Sequence, residues 1–320
     1  MEKKKITKHI VGDVYCLVDE FLSKHRKENF KITGIEFSNL GAQGREPLFD
    51  ISHSNTRDIF AYWKDENKNC VVISTPAPGY EIKAPESLYH FFGGKRHPRL
   101  QINYLDVTHL DVSDTTDFTY CFLLFGYSSR KKTKDAKIIG LETWDVNSGK
   151  NFGNMFDKAF PSNKNINLNL SSWRFSQEVK ISFMNMFQYF GEQAIEVILD
   201  VSGWNTENVD DFDQMFEDFA PRAKIVELKE IEKWRLGAGP ISLKYMFANF
   251  AVNAIEVKIK GIENWKMHNK MDVSEMFAKF APNSDWYPNL SKWDMKGILS
   301  YKHEEFATGL FFKIREPEWD

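Results

Sequence analysis

Apolar side chains fall in quartets spaced i, i+3, i+4, i+7, and the quartets recur about every thirty residues: Phe152, Met155, Phe156 and Ala159; Phe183, Met186, Phe187 and Phe190; Phe212, Met215, Phe216 and Phe219; Leu243, Met246, Phe247 and Phe250; Val273, Met276, Phe277 and Phe280. That spacing puts four side chains on one stripe of an α-helix. A Trp precedes each Met by eleven to thirteen residues, at Trp144, Trp173, Trp204, Trp234 and Trp265, and Trp293 opens a further copy. The Trp-to-Trp steps are 29, 31, 30, 31 and 28 residues. A fixed period of this length marks one supersecondary unit used repeatedly.

The residues entering each Trp alternate and are β-branched, as in Ile198, Val201 and Trp204 or Ile259, Ile262 and Trp265, which predicts a short strand there. A turn follows, with Asn208 or Asp210 as a helix cap in one copy, and Pro161, Pro221 and Pro282 stop the predicted helices. Upstream, Phe118, Cys121, Phe122 and Phe125 keep the stripe with Leu110 in the Trp slot, and Leu88, Phe91 and Phe92 keep three positions before Lys95. Downstream, Lys302, Glu305, Phe306 and Gly309 keep one ring. Decay at both ends is what a capped stack requires. Strand, turn, helix and return imply parallel strands joined by right-handed crossovers, hence an α/β solenoid of about seven strand-turn-helix units. Strands about 4.8 Å apart and helices about 8 to 10 Å apart would bend it into a horseshoe.

The first part of the chain reads differently. Residues 13 to 29 predict an amphipathic helix with Val14, Leu17, Val18, Phe21 and Leu22 on one face, 30 to 40 a strand, and 59 to 63 with 70 to 74 a hairpin. Thr75-Pro76-Ala77-Pro78-Gly79 is a natural junction. The expected division is therefore an N-terminal α+β cap over 1–80, repeats over 81–310 and a tail over 311–320.

Composition adds little to this picture. Aromatic residues make up 15% of the chain, with 27 Phe, and the stripe absorbs much of the excess. A net charge of −3 gives no global case for nucleic acid or an anionic membrane. Two basic loops, Lys95, Arg96, His97 and Arg99, and Arg130, Lys131, Lys132, Lys134 and Lys137, are the places where such contact would arise, but they lack interleaved aromatics. Glu207, Asp210, Asp211, Asp213, Glu217 and Asp218 cluster on one copy and read as a solvated face.

No phosphate loop, dinucleotide fingerprint, zinc-hydrolase or nucleophile-elbow motif occurs. Ser128-x-x-Lys131 reads as surface loop, His90 and His109 as neighbours of the stripe, and Cys16, Cys70 and Cys121 as an odd, unspaced set. Asn169-Leu170-Ser171 and Asn289-Leu290-Ser291 fit a glycosylation acceptor but fall in the repeat's own framework. Neither a cofactor, a metal nor an enzymatic activity is expected, and no apolar segment is long enough for a membrane span. With no export signal in view, the cytoplasm is the expected location.

Function should lie where equivalent positions differ. The residue after each Trp runs Asp145, Arg174, Asn205, Arg235, Lys266 and Asp294, and the residues before it include Glu142, Glu232 and Glu263. Arg174, Asn205, Glu232, Arg235, Glu263 and Lys266 are the candidate partner-binding residues, with a protein as partner and the free chain monomeric.

The unit running from Val201-Ser202-Gly203-Trp204-Asn205-Thr206 through Met215-Phe216 resembles the LSxWDTSNVTDMSxMF repeat of BspA-like leucine-rich-repeat surface proteins and Mycoplasma-type lipoproteins. The likeness spans about residues 80 to 310. It implies a leucine-rich-repeat-like solenoid that binds proteins or adheres, without catalysis. The units here are longer than that family's, and Asp follows Trp only at Asp145 and Asp294. The expectation is a binding scaffold, in a bacterial intracellular complex of toxin–immunity or defence type, or else a cell-surface adhesin. A third reading puts nucleic-acid binding or an enzyme in residues 1–80 and the basic loops.

Overall fold

The computed structural model describes residues 9–28, 30–93, 100–127, 135–310 and 314–319. One of its parallel ladders is built from the repeats. Asn165–Asn169, Glu196–Asp200, Ile225–Lys229 and Glu256–Lys258 pair side by side in that order, all parallel. Ile166, Val197, Val226 and Val257 fall in register and are buried. The strands alternate because one face is packed and the other is wet.

The predicted α/β, leucine-rich-repeat-like solenoid of strand-turn-helix units does not form. Among the described residues Val14–Lys24 is the single α-helix, and no repeat contains one; the chain is otherwise short strands in several small sheets, 3-10 turns and β-turns. The Met/Phe stripe is two successive β-turns. Met155 donates its N–H to Phe152 O and Ala159 to Phe156 O, and the third residue of each turn, Asn154 (φ 56) and Lys158 (φ 54), is left-handed. A positive φ at the third position is the mark of a type II turn. Asn185 and Tyr189, Gln214 and Asp218, Tyr245 and Asn249, and Glu275 and Lys279 repeat it. First and fourth residues of each turn point inward, so two turns in tandem yield the spacing i, i+3, i+4, i+7 that a helix also yields.

Alternate N–H groups reach the next copy. Asn154 donates to Met184 O at 2.9 Å, Phe156 to Met186 O at 2.8 Å and Lys158 to Gln188 O at 2.9 Å. Turns hydrogen-bonded between copies lie as close together as strands do. Phe156, Phe187, Phe216, Phe247 and Phe277 stack at 5.3, 5.6, 5.4 and 5.5 Å with planes within 12°. The spacing mismatch that implied a horseshoe therefore does not arise. Met155, Met186, Met215, Met246 and Met276 are fully buried in the same core.

The N-terminal readings fare better. Asp13 caps Val14–Lys24 by accepting from Cys16 N, and Phe21 on that helix stacks on Phe49 at 4.9 Å. Phe60–Trp63 and Cys70–Ser74 form an antiparallel pair. Ile32–Phe37 pairs in parallel with Cys70–Ser74 on one side and with Leu100–Asp106 on the other, so one six-stranded sheet runs from Phe49–Asp50 to Lys137–Ile139. At the other end the register differs by one residue from the spacing expected: Glu275 donates to Glu304 O and Phe277 to Phe306 O, as Phe247 does to Met276 O. Phe306 thus fills the Met slot, Ala307 the Phe slot and Leu310 the last ring slot. Residues 314–319 fold over this copy, with Leu290 donating to Arg315 O and Trp319 stacked on His303 at 4.4 Å.

Candidate binding surface

All six indoles form one row. Trp144, Trp173, Trp204, Trp234, Trp265 and Trp293 stack at 6.4, 6.2, 5.8, 6.1 and 6.5 Å with planes within 9°. Four of them are also anchored by Nε1: Trp173 donates to Leu141 O, Trp204 to Leu170 O, Trp265 to Ile231 O and Trp293 to Ile262 O, at 2.8 to 3.2 Å. The approach to each Trp is a tight corner. In one kind of copy a left-handed Gly140, Glu230 or Gly261 opens a 3-10 turn; in another an Asx turn does the work, as when Asn169 Oδ1 accepts from Ser171 N at 3.0 Å. Asn169 and Asn289, the two glycosylation-like asparagines, are both spent on such turns.

The residues following these stacked rings are exposed: Asp145, Arg174, Asn205, Arg235, Lys266 and Asp294. Stacking of their neighbouring indoles brings them into one file, negative at each end and basic or neutral between. Arg174 folds back so that its Nη1 donates to Ser171 O at 2.7 Å and Trp173 O at 2.8 Å, and Asn205 Oδ1 accepts from Glu207 N. Arg235 and Lys266 carry no side-chain bond among the described residues. Glu232 and Glu263 stand apart from this file. They lie on the 3-10 turns before Trp234 and Trp265 and are half-buried, with Oε2 of Glu263 buried and unpartnered.

The tandem turns make a second polar surface that the helical reading did not foresee. Lys158 sits over the Tyr189 ring at 4.6 Å, Tyr189 donates to Asp218, and Gln188 and Gln214 donate to Glu217 at 2.5 and 2.6 Å. Burial raises the carboxyl pKa of Asp157, Asp213, Glu217 and Asp218, against hydrogen bonds and lysine charges that pull it down. Tyr245 is pushed up to about 12, chiefly by its hydrogen bond to Glu275. Of the sequence's acidic cluster, Asp213, Glu217 and Asp218 lie on this surface, whereas Glu207 lies in the loop after Trp204 and Asp210 and Asp211 in the strand Val209–Asp211. The only hint in the sequence was the polar or Asn residue at each third turn position.

Other candidates resolve simply. Cys121 is fully buried in a Met slot and Cys70 is buried, its thiol raised by burial to about 11, so neither is a ready thiolate. His90 stacks on Tyr120 at 4.7 Å, while His109 is exposed. Ser128, Lys131 and the basic residues 95–97, 99, 130, 132 and 134 lie outside the described residues. Among the described residues no three His, Cys, Asp or Glu side chains could hold a metal ion, and no helix is long and apolar enough to cross a membrane.

What fold and surface define together is a repeat protein with two laddered polar faces on one aromatic core. The chain belongs to the family described as Mycoplasma protein of unknown function, DUF285, whose model matches residues 127–257 and 241–304, together more than half of the sequence. No curated protein and no solved structure matches it.

Proposed function

We propose that the protein is a non-catalytic scaffold that binds an acidic segment of a partner protein along the Trp corner. One observation carries this reading: exposed Arg174, Asn205, Arg235 and Lys266 occupy a single file beside rings that are stacked, buried and constant, so the framework is rigid where the contact residues vary. The indole spacing of 5.8 to 6.5 Å is close to the roughly 6.6 Å between same-side residues of an extended strand, which suits an extended occupant. Glu232 and Glu263, half-buried behind the file, would orient rather than grip.

The test is affinity capture from native lysate with wild-type protein and with the triple variant Arg174→Glu, Arg235→Glu, Lys266→Glu. Recovery of the wild-type partner should fall by more than about tenfold, the effect of about 1.4 kcal/mol of lost contact. Equal recovery would remove the Trp corner from consideration.

A second reading, a cell-surface adhesin, rests on the resemblance of residues 201–216 to the BspA-like and Mycoplasma-type repeat. The two readings differ in where the protein resides: an intracellular complex for the first, the cell surface for the second. Fractionation of cells expressing the native gene separates them.

A further inference from the structure

The Trp-corner file extends one copy before Asp145. Leu110 fills the Trp slot there: it donates its N–H to Val107 O as Trp144 does to Leu141 O, and Thr115 donates to Val112 O as Gly149 does to Val146 O. Asp111 therefore holds the place of Asp145 in that copy, and two carboxylates precede Arg174, Asn205, Arg235 and Lys266. Both line a cavity of about 360 Å³ together with Glu81, His109, Leu110 and Val112. Glu81 and Asp145 are exposed, while Asp111 is half-buried and paired with Lys83 at 3.1 Å. A cleft dominated by one sign of charge concentrates the opposite sign. The far end of the file differs. Asp294 stands there between exposed Lys292 and Lys296, and its backbone bridges to Glu318 in the segment that folds over the last copy. The two ends are therefore alike in the sign of one carboxylate and unlike in everything around it.

We propose that the protein segment bound along the Trp corner has a fixed charge order: a lysine or arginine that enters the cavity beside Asp111 and Asp145, then acidic side chains that meet Arg174, Arg235 and Lys266. This inference rests on the Trp-corner reading and adds a direction to it. Same-side residues of an extended chain are roughly 6.6 Å apart. The indoles beneath the file are 6.4 Å apart from Trp144 to Trp173 and 6.2 Å from Trp173 to Trp204. A basic residue over Asp145 therefore lies two positions from the residue over Arg174. A long basic side chain suits the cavity, because its methylenes cover Leu110 and Val112 while its charged head meets the carboxylates. Placed at the far end, the same cation would stand beside Lys292 and Lys296. A segment acidic throughout would set a carboxylate against Asp145. Both arrangements are opposed by like charge, which is how a surface rejects the wrong partner.

Fluorescence anisotropy with three labelled nonapeptides tests the order. The first carries lysine at the first position and glutamate at the third, seventh and ninth, with serine elsewhere. The second replaces the lysine with serine, and the third moves it to the fifth position, which keeps the net charge. Each is made in both chain directions. In one direction the first peptide should bind about fivefold more tightly than the other two, the reach of one ion pair at an exposed site. Asp145→Asn combined with Glu81→Gln removes two charges and keeps the turn that Asp145 Oδ1 makes with Asn147 N. That variant should lose the advantage of the first peptide and bind the second as before. Equal binding of all three peptides, or an advantage that survives in the double variant, overturns the charge order and leaves the Trp corner standing. Binding of none of them to wild-type protein overturns both, as does binding that persists when Arg174, Arg235 and Lys266 are all exchanged for glutamate.

Discussion

The strand side and the turn side of each copy bury the same kind of residue at the same rung spacing, yet their backbones differ throughout. On the strand side, Ile166, Val197, Val226 and Val257 lie on extended chain whose alternation shows which face is packed. On the turn side, Phe156, Phe187, Phe216 and Phe247 are placed by pairs of turns with left-handed third residues. The contrast teaches that hydrophobic spacing fixes which residues point inward without fixing the path between them. Period 2 has one common solution, the strand. The quartet spacing has two, and the choice is made by hydrogen bonding between copies: a helix consumes its own N–H groups, whereas turns leave every second one for the neighbour.

Both sides contribute to one core, so the largest expected effects are equal on the two. Trp204→Ala removes a ring stacked on both faces and anchored to Leu170 O, and Phe216→Ala removes one stacked between Phe187 and Phe247. Each should cost about 3 to 5 kcal/mol in a urea melt, as deletions of buried aromatics do. A much smaller loss on the turn side would mean that its rings pack loosely and that the two sides are not one core.

Acid separates the two sides by sign. On the turn side Asp157, Asp213, Glu217 and Asp218 have folded pKa values raised by burial, so the folded state takes up protons first and gains stability as pH falls from neutral toward the carboxylate range. Elsewhere burial is outweighed. Asp111 and Asp200 are held low by bonds from Ser113 and Ser202 and by Lys83 and Lys229, and Asp58 by Thr56, His9 and Ser52. Those three contribute stability above the usual carboxyl pKa, which is lost as pH falls through their lowered values. The melting temperature should therefore rise on mild acidification and drop below about pH 4, near the unperturbed carboxyl range. Neutralising the turn side with Asp157→Asn and Glu217→Gln should flatten the rise while leaving the drop.

Much of this was legible in the sequence. The Trp row, the short strands before Trp144, Trp173, Trp204, Trp234 and Trp265, the helix after Asp13 and the 60–74 hairpin all follow from period and capping. The turn conformation was hidden because its left-handed positions hold Asn154, Lys158, Tyr189, Asp218 and Tyr245 rather than Gly, so the usual mark of a type II turn was missing. Two physical signals pointed away from helix all the same: an eight-residue stripe is short for a helix, and helices could not keep pace with strands at strand spacing. The register of the last copy escaped for a local reason, since Trp293 stands thirteen residues before Phe306, which was placed one slot too late. The Trp-corner file was visible from its variation, but the direction of the turn ladder was not, because a hydrogen-bond direction has no sequence signature.

The smallest effect is the most direct. Lys279 is exposed and left-handed, with φ 52, at the third position of its turn. Lys279→Gly and Lys279→Ala can be compared by chemical denaturation. A tandem-turn ladder requires the Gly variant to be the more stable by about 1 kcal/mol, since Ala pays a steric penalty at positive φ. A helix would reverse the order by a similar amount, because Ala outranks Gly inside helices by about 1 kcal/mol, and an Ala variant more stable than the Gly variant would contradict the turn ladder outright.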